Sequence, residues 1–357
     1  MNDFDINDKR TEKEFRGITF SKFKKSDGKK EFLKSIRNGK IEQSCYWAVE
    51  FICAGHYGDI WEYILLAMSK NIHLGNPKLP LYIDLRFNDF KNIANQGYVG
   101  SEIKMRNNKK IRKLFSELVC IMCLSKKKLS FTNIKIPAED FKITNISYKL
   151  KADNVNYAQR VWKNEDPKEL FIAINEFAFH LSKQSNNLQQ TCYWLEWMLG
   201  YETLCFKETK VNKKGGRRNM PVDSKLQNET IWMLWEIILF EAKDRNNAIY
   251  KIVNALLNLF CIKYTKGCKK KRKDIIYFAI SLVTENPSLN IEICKNKKIT
   301  SSVTKKIDVI YKQVKKNEVK PETDYLFNNS FTKGNLEKTI SKLDKMDKLM
   351  GMLTRKD

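Results

Sequence analysis

Clusters of lysine and arginine are the residues of this chain whose type and spacing best suit contact with another molecule. The chemistry they favour is phosphate binding, because both side chains neutralise phosphate oxygens through charge-assisted hydrogen bonds. The clusters are Lys109, Lys110, Arg112 and Lys113; Lys126, Lys127 and Lys128; Lys213, Lys214, Arg217 and Arg218; and Lys269, Lys270, Lys271 and Arg272. Together with a formal net charge of +25, they predict sequence-tolerant binding of DNA.

The identity of the anionic partner stays open at this stage. RNA or an acidic protein would satisfy the same charges. The alternative is that the lysines bind nothing and are frequent only because an AT-rich genome favours lysine codons. Few aromatic residues accompany the clusters, which argues against base stacking on single strands.

Residues that could support catalysis or bind a metal form no recognisable pattern. The chain has no G-x-x-x-x-G-K-[ST] motif, and Gly215-Gly216 lacks the spacing of a phosphate-binding loop. Cys120 and Cys123 have C-x-x-C spacing, but their apolar neighbours favour buried thiols over a zinc site. We expect no enzyme activity, no cofactor and no metal; an enzyme whose site has diverged beyond recognition is a less favoured alternative.

A repeated sequence indicates which elements position these residues. Gln43–Trp47 returns 147 residues later as Gln190–Trp194, with Thr191 in place of Ser44. Residues 60–65 match residues 234–239 at an offset of 174. We interpret this as an internal duplication of a helical unit. Its predicted core residues are Tyr46, Trp47, Trp61, Tyr193, Trp194 and Trp235.

The predicted fold is all-α, with two diverged helical repeats, a short extended connector and a C-terminal helical tail. Its segments are a basic flexible arm (1–29), repeat 1 (30–128), a connector that is either a short β-hairpin or a linker (129–165), repeat 2 (166–285) with a basic insertion (202–228), and a polar tail (286–357) with an amphipathic helix (335–353). We expect the insertion to be a mobile basic loop.

Local signals place some of the helix boundaries. Asp59 and Asp166 are expected to cap the helices that follow them. Pro77 and Pro80 should exclude helix from the turn between residues 71 and 80. The next helices are predicted over residues 82–93 and 109–124.

The amphipathic tail helix carries a narrow apolar seam at spacings of three and four residues. This seam either packs back on the body or docks a partner. Its candidate partner-binding residues are Leu336, Ile340, Leu343, Met346 and Met350.

The stretch around Tyr46-Trp47 resembles a known family. With Ala54-Gly55, Ile60, Ala67-Met-Ser69, Ile72, Leu74 and Pro77, it is similar to the helical collar of clamp-loader and RarA/MgsA-type replication ATPases. Lys70, Asn71 and His73 depart from that family's usual acidic residues and glycine. The resemblance implies a helical module that oligomerises and holds replication subunits together, without the ATPase domain. The stretch also resembles proteins of large nucleocytoplasmic DNA viruses.

These observations favour a non-enzymatic accessory or scaffold protein of DNA replication. The expected partners are DNA and replication ATPase or sliding-clamp subunits, in an oligomer. The alternative is a virion protein that packs against the genome through its positive charge. The cysteines and the absence of a signal peptide or membrane span predict a reducing intracellular compartment, such as host cytoplasm, nucleus or a viral factory.

Overall fold

The computed structural model describes residues 4–319, and this part of the chain is mostly helical. It contains no β-strand; two isolated bridges join Ile18 to Lys24 and Lys214 to Glu229. The predicted all-α class is confirmed. Among the helices of these residues, none combines the length and the apolar composition that crossing a bilayer requires.

Thirteen α-helices are described in residues 4–319. They are α1 (Lys25–Arg37), α2 (Ile41–Cys53), α3 (Tyr57–Leu66), α4 (Leu79–Asn95), α5 (Lys109–Leu124), α6 (Asn156–Gln159), α7 (Phe171–Leu181), α8 (Leu188–Thr209), α9 (Ile231–Arg245), α10 (Asn247–Phe260), α11 (Cys268–Lys271), α12 (Lys273–Glu285) and α13 (Lys297–Lys315).

The described residues form two compact units. The larger unit comprises residues 4–6 and 11–317, and the smaller comprises residues 7–10 with 318 and 319. In the smaller unit the Asp8 carboxylate accepts hydrogen bonds from the Arg10 side chain at 2.6 Å and from the backbone N–H of Val319 at 2.9 Å. The predicted C-terminal helix and its partner-binding residues lie outside the described residues.

Two helical hairpins, α1–α2 and α7–α8, carry the two copies of the repeated pentad. The helices that contain it begin 147 residues apart, at Ile41 and Leu188. The hydroxyls of Ser44 and Thr191 each donate to the carbonyl four residues earlier, both at 2.7 Å. The two helices thus share this hydroxyl bond, although only α8 has a side-chain cap, from Asn187.

The surroundings of the two hairpins differ. Trp194 is fully buried and lies against Trp197, whereas Trp47 is half-buried and contacts Phe23 at the edge of its hairpin. Residues 118–121 of α5 also match residues 259–262, at the end of α10, at an offset of 141. Helix α5 packs mainly against α2 and α13, but α10 packs against α9, α4 and α12. A duplication of the complete unit therefore stays a prediction.

The N-terminal half contains an irregular turn that joins distant segments. A π-helical segment, Ala67–Ile72, leads into His73, whose φ of 46° is in the left-handed region. Gly75 lies so close to Lys126 that an added Cβ would stand 2.1 Å from its carbonyl oxygen. The Asn76 amide donates to the Ser125 hydroxyl and to the Ile293 carbonyl, both at 3.0 Å. This turn thus fixes the exit of α5 and the approach to α13.

Several boundary predictions need correction in the N-terminal half. The expected flexible arm instead packs into the core, with Phe15 and Phe20 fully buried, and α1 already begins at Lys25. Asp59 lies in the first turn of α3 rather than at its cap. Pro80 is the second residue of α4, where its missing N–H removes no intrahelical bond.

The connector and the insertion also differ from expectation. The connector forms 3-10 segments, Ala138–Phe141 and Ile143–Lys149, and the short α6 rather than a hairpin. Helix α8 continues into the insertion, and the rest of the insertion is anchored by the fully buried Arg218. Asp166 does not cap a helix, because its carboxylate accepts hydrogen bonds from Arg218 at 2.7 and 2.8 Å.

Candidate nucleic-acid interface

Helix α13, which the sequence did not predict, provides the most basic surface of the described residues. Its first turn is capped by the Asn296 side chain, which accepts from the backbone N–H of Ile299 at 3.0 Å. Its buried residues recur at helical spacing and form one face: Thr300, Ile307, Ile310, Tyr311 and Val314. This face packs against α5 and α2, which fixes the direction of the opposite face.

Contacts between α5 and α13 set their relative orientation. The Arg112 guanidinium donates to Asp308 at 2.9 Å and stacks over the Tyr311 ring at 4.0 Å from its centroid. Near the other end of the pair, the Cys120 thiol lies 3.7 Å from the Thr300 hydroxyl. The two helices are therefore antiparallel, so that the beginning of α5 lies beside the C-terminal half of α13.

The outward face of α13 is a stripe of lysines. From Lys298 the exposed positions recur at spacings of four and three residues, through Ser302, Lys305, Val309, Lys312 and Lys316. The segment 295–316 contains eight lysines and a single carboxylate, Asp308, which already binds Arg112. The stripe therefore keeps its full positive charge.

Lysines at the beginning of α5 extend this stripe. Lys109, Lys110 and Lys113 are exposed, and Lys113 lines a groove of about 550 Å³ together with Lys297 and Lys305. We define the lysine face as Lys109, Lys110, Lys113, Lys297, Lys298, Lys305, Lys306, Lys312 and Lys316. Within residues 4–319 none of these nine forms an ion pair.

The lysines at the start of α13 do not stabilise the helix. Lys297 and Lys298 lie in the first turn, at the positive end of the helix dipole, and no acidic residue accompanies them there. Lys312 and Lys316 lie at the negative end, where cations are favourable, but they are four residues apart, where like charges repel. Folding therefore gains nothing from Lys297 and Lys298, which favours a role for them in binding.

Five of the predicted DNA-binding cations are engaged inside the protein instead. Arg112 is 3% exposed and Arg218 0%. Arg272 donates to the carbonyls of Phe260 and Ile262, both at 2.6 Å, and to Glu62. These groups satisfy buried acceptors, so we exclude them from the lysine face.

The other two internal cations are lysines. Lys269 bridges Glu202 at 2.5 Å and Glu229 at 3.1 Å; burial alone would lower the pKa of Lys269, but the two carboxylates raise it. Lys127 donates to the carbonyls of Met122 and Cys123 at the end of α5, at 2.8 and 2.9 Å, and burial lowers its pKa.

The remaining predicted cations are at the surface but outside α5 and α13. Lys128 pairs with Glu285 at 2.5 Å, Lys213 with Glu169, and Lys271 with Glu62 at 3.4 Å. Arg217 donates to the Gln227 amide at 2.8 Å. Lys126, Lys214 and Lys270 are exposed on other segments. The structure thus brings together only the first of the four predicted clusters with α13.

The described residues contain no group of three or more His, Cys, Asp or Glu side chains arranged to hold a metal ion. The cysteines of the helices are buried thiols, as predicted, and burial raises the pKa of Cys123 to about 11. Comparisons with protein-family models, curated proteins and solved structures give no match for this chain.

Proposed function

We propose that the protein binds the phosphate backbone of nucleic acid through the lysine face and acts as a non-enzymatic accessory or scaffold protein of DNA replication. The observation that carries the binding proposal is the set of nine exposed lysines on two antiparallel helices, with the only nearby carboxylate of α13 already used by Arg112.

The dimensions of the lysine face suit an extended polyanion. From Lys298 to Lys316 the stripe is roughly 27 Å long at the rise of an α-helix. Duplex DNA presents one negative charge per about 1.7 Å of its axis, so several phosphates would lie within that length. Because α13 is anchored by Tyr311 and Arg112, little ordering would be needed on binding.

The side-chain types of the lysine face favour backbone contact over base recognition. It contains lysines rather than arginines, and lysine acts as a point charge, whereas arginine recognises guanine through two hydrogen bonds. No aromatic side chain lies on the outward stripe of α13, which disfavours stacking on single-stranded bases. Duplex DNA, bound with tolerance of its sequence, is therefore the preferred partner.

The binding proposal is tested by the salt dependence of duplex affinity. Replacing Lys298, Lys305, Lys312 and Lys316 with Gln should reduce the slope of log K against log salt by about 3 to 4, because each lost phosphate contact contributes about 0.9. Fluorescence anisotropy of a labelled duplex over a salt series provides the measurement.

A control variant should replace four exposed lysines on other helices, Lys30, Lys207, Lys243 and Lys251, with Gln. It has the same net charge as the test variant. If both variants show the same slope, binding depends on overall charge, and the lysine face is not the interface.

The replication setting rests on the resemblance of residues 41–80 to the clamp-loader collar. The matching starts and hydroxyl bonds of the two hairpins support a duplication of the hairpin itself. Co-purification of tagged protein with a sliding clamp or a replication ATPase tests the setting, and light scattering tests oligomerisation. High abundance in purified virus particles, without those partners, would favour the virion alternative.

A further inference from the structure

A second candidate site is a cavity of about 790 Å³ that α3 and α4 form with α10, α11 and the segment between them. Its size is within the range of small-ligand pockets. No residue of the lysine face lines it, so a ligand bound here would not depend on binding at the lysine face.

One wall of the cavity is aromatic. Trp61 lies with its ring centroid 5.0 Å from Phe87 and 5.6 Å from Phe90, and Tyr57 is 5.6 Å from Phe90. Phe87 and Phe90 belong to the second half of α4, which has no fully buried residue. Phe87 and Phe90 pack on one side against the core, Phe90 against the buried Phe115, and are half-buried where they line the cavity, so a planar ligand would complete their contacts.

A hydrogen-bonding group of a residue that lines the cavity is buried without a partner in the described part of the chain. It is the indole N–H of Trp61, a residue that is 3% exposed. Buried donors without partners are uncommon in folded proteins because desolvation costs free energy. An acceptor on a bound ring would satisfy the indole N–H, which can only donate.

The cavity lining carries charges of both signs: Glu62 pairs with Lys271 and Arg272, whereas Lys91 and Lys263 have no ion pair within the described residues. Lys91, Lys263 and Lys271 are exposed at the mouth of the cavity. Lys263 has a φ of 42°, a left-handed conformation that costs free energy for a residue with a side chain. Residues held in such conformations concentrate at binding sites. An anionic group at the mouth would lie near Lys91 and Lys263 while an aromatic ring occupies the interior.

We propose that this cavity binds a nucleotide, with its base against Trp61 and Phe90 and its phosphate at Lys91 and Lys263. An exposed polar pair in the lining, in which the Asn258 amide donates to Asp84 at 3.1 Å, provides acceptor and donor groups for the edge of a base. The same chemistry is offered by a free nucleotide and by the terminal nucleotide of a single strand.

Calorimetric titration of the full chain with AMP, adenosine and ribose phosphate tests this proposal. AMP should bind saturably, adenosine more weakly, and ribose phosphate least, because only AMP presents both the ring and the anion. The double variant Lys91→Gln with Lys263→Gln should lower AMP affinity about tenfold and leave adenosine affinity unchanged. Trp61→Phe, which keeps the ring but loses the N–H, should weaken both ligands.

The double variant Lys30→Gln with Lys207→Gln has the same net charge and should bind AMP as the wild type does. Circular dichroism melting of each variant verifies folding. Competition between AMP and a short single strand identifies which ligand the cavity takes. If the strand displaces AMP, the ligand is a strand end; if it does not, the ligand is a free nucleotide. The proposal is overturned if no nucleotide binds at millimolar concentration, or if the Lys91 and Lys263 double variant binds AMP as tightly as the control.

Discussion

A single arginine shows how an apparently basic loop becomes part of the core. All five N–H groups of Arg218 are used: two bind Asp166, Nε donates to Glu236 at 2.6 Å, and the others reach the Val161 and Gly216 carbonyls at 2.8 and 2.9 Å. Burial would raise the pKa of Asp166, but Arg218 and backbone N–H groups hold it below its ordinary value. Asp166 thus keeps its charge through both Arg218 and these backbone N–H groups.

Removing this guanidinium should leave a buried carboxylate without its partner. We expect Arg218→Met to lower the free energy of unfolding by about 3–5 kcal/mol. The neighbouring Arg217 is exposed, so Arg217→Met should change it by less than about 0.5 kcal/mol. Urea unfolding of both variants measures the difference. Equal stability of the two would show that the buried ion pairs contribute little.

At the scale of elements, α13 shows where sequence reasoning succeeded and where it failed. Helix α5 has dense apolar residues, and the prediction over residues 109–124 matches its observed boundaries. In α13 the apolar residues are separated by lysines, and residues 286–319 were taken as a polar tail. The spacing of Ile307, Ile310, Tyr311 and Val314 was nevertheless a helical signal. The lysine face was missed for the same reason.

The attachment of α13 depends on Tyr311, which is fully buried beneath Arg112. We expect Tyr311→Ala to cost about 3–5 kcal/mol, because it removes a large buried ring and leaves Arg112 without its stacking surface. The backbone amides of α13 should exchange hydrogen faster in Tyr311→Ala than in the wild type, and the affinity for duplex DNA should be lower.

An exposed residue on the opposite face of α13, two positions before Tyr311, provides a matched control. Val309 is 57% exposed, so Val309→Ala should change the free energy of unfolding by less than about 0.5 kcal/mol. If the amides of α13 exchange at the same rate in Tyr311→Ala and Val309→Ala, then contacts other than the buried ring hold α13 in place.

At the scale of the larger unit, a few contacts join segments that are far apart in sequence. Arg272 binds Glu62, and the His73 ring stacks on Phe278 with centroids 4.7 Å apart. No local pattern encodes such contacts, because they depend on how complete helices pack. For this reason the sequence predicted that Arg272 binds DNA. It showed His73 only as a difference from the glycine that is usual in the clamp-loader collar.

The buried His73 should make the stability of the larger unit depend on pH. Burial, with the nearby Lys128, lowers the pKa of His73 to about 4, whereas an unfolded His titrates at about 6.5. Because protonation then favours the unfolded chain, the contribution of His73 is complete above about pH 6.5 and is lost as pH falls towards the folded pKa. At pH 5 the loss should be about 2 kcal/mol.

His73→Phe keeps a ring that can stack on Phe278 but cannot titrate. Between pH 7 and pH 5, the free energy of unfolding of this variant should therefore fall by about 2 kcal/mol less than that of the wild type. Carboxylates that titrate in the same range affect both proteins alike, so the difference between the two urea series isolates His73. Parallel curves would mean that the His73 ring takes up its proton without unfolding, and that the contact between the two halves tolerates a charge.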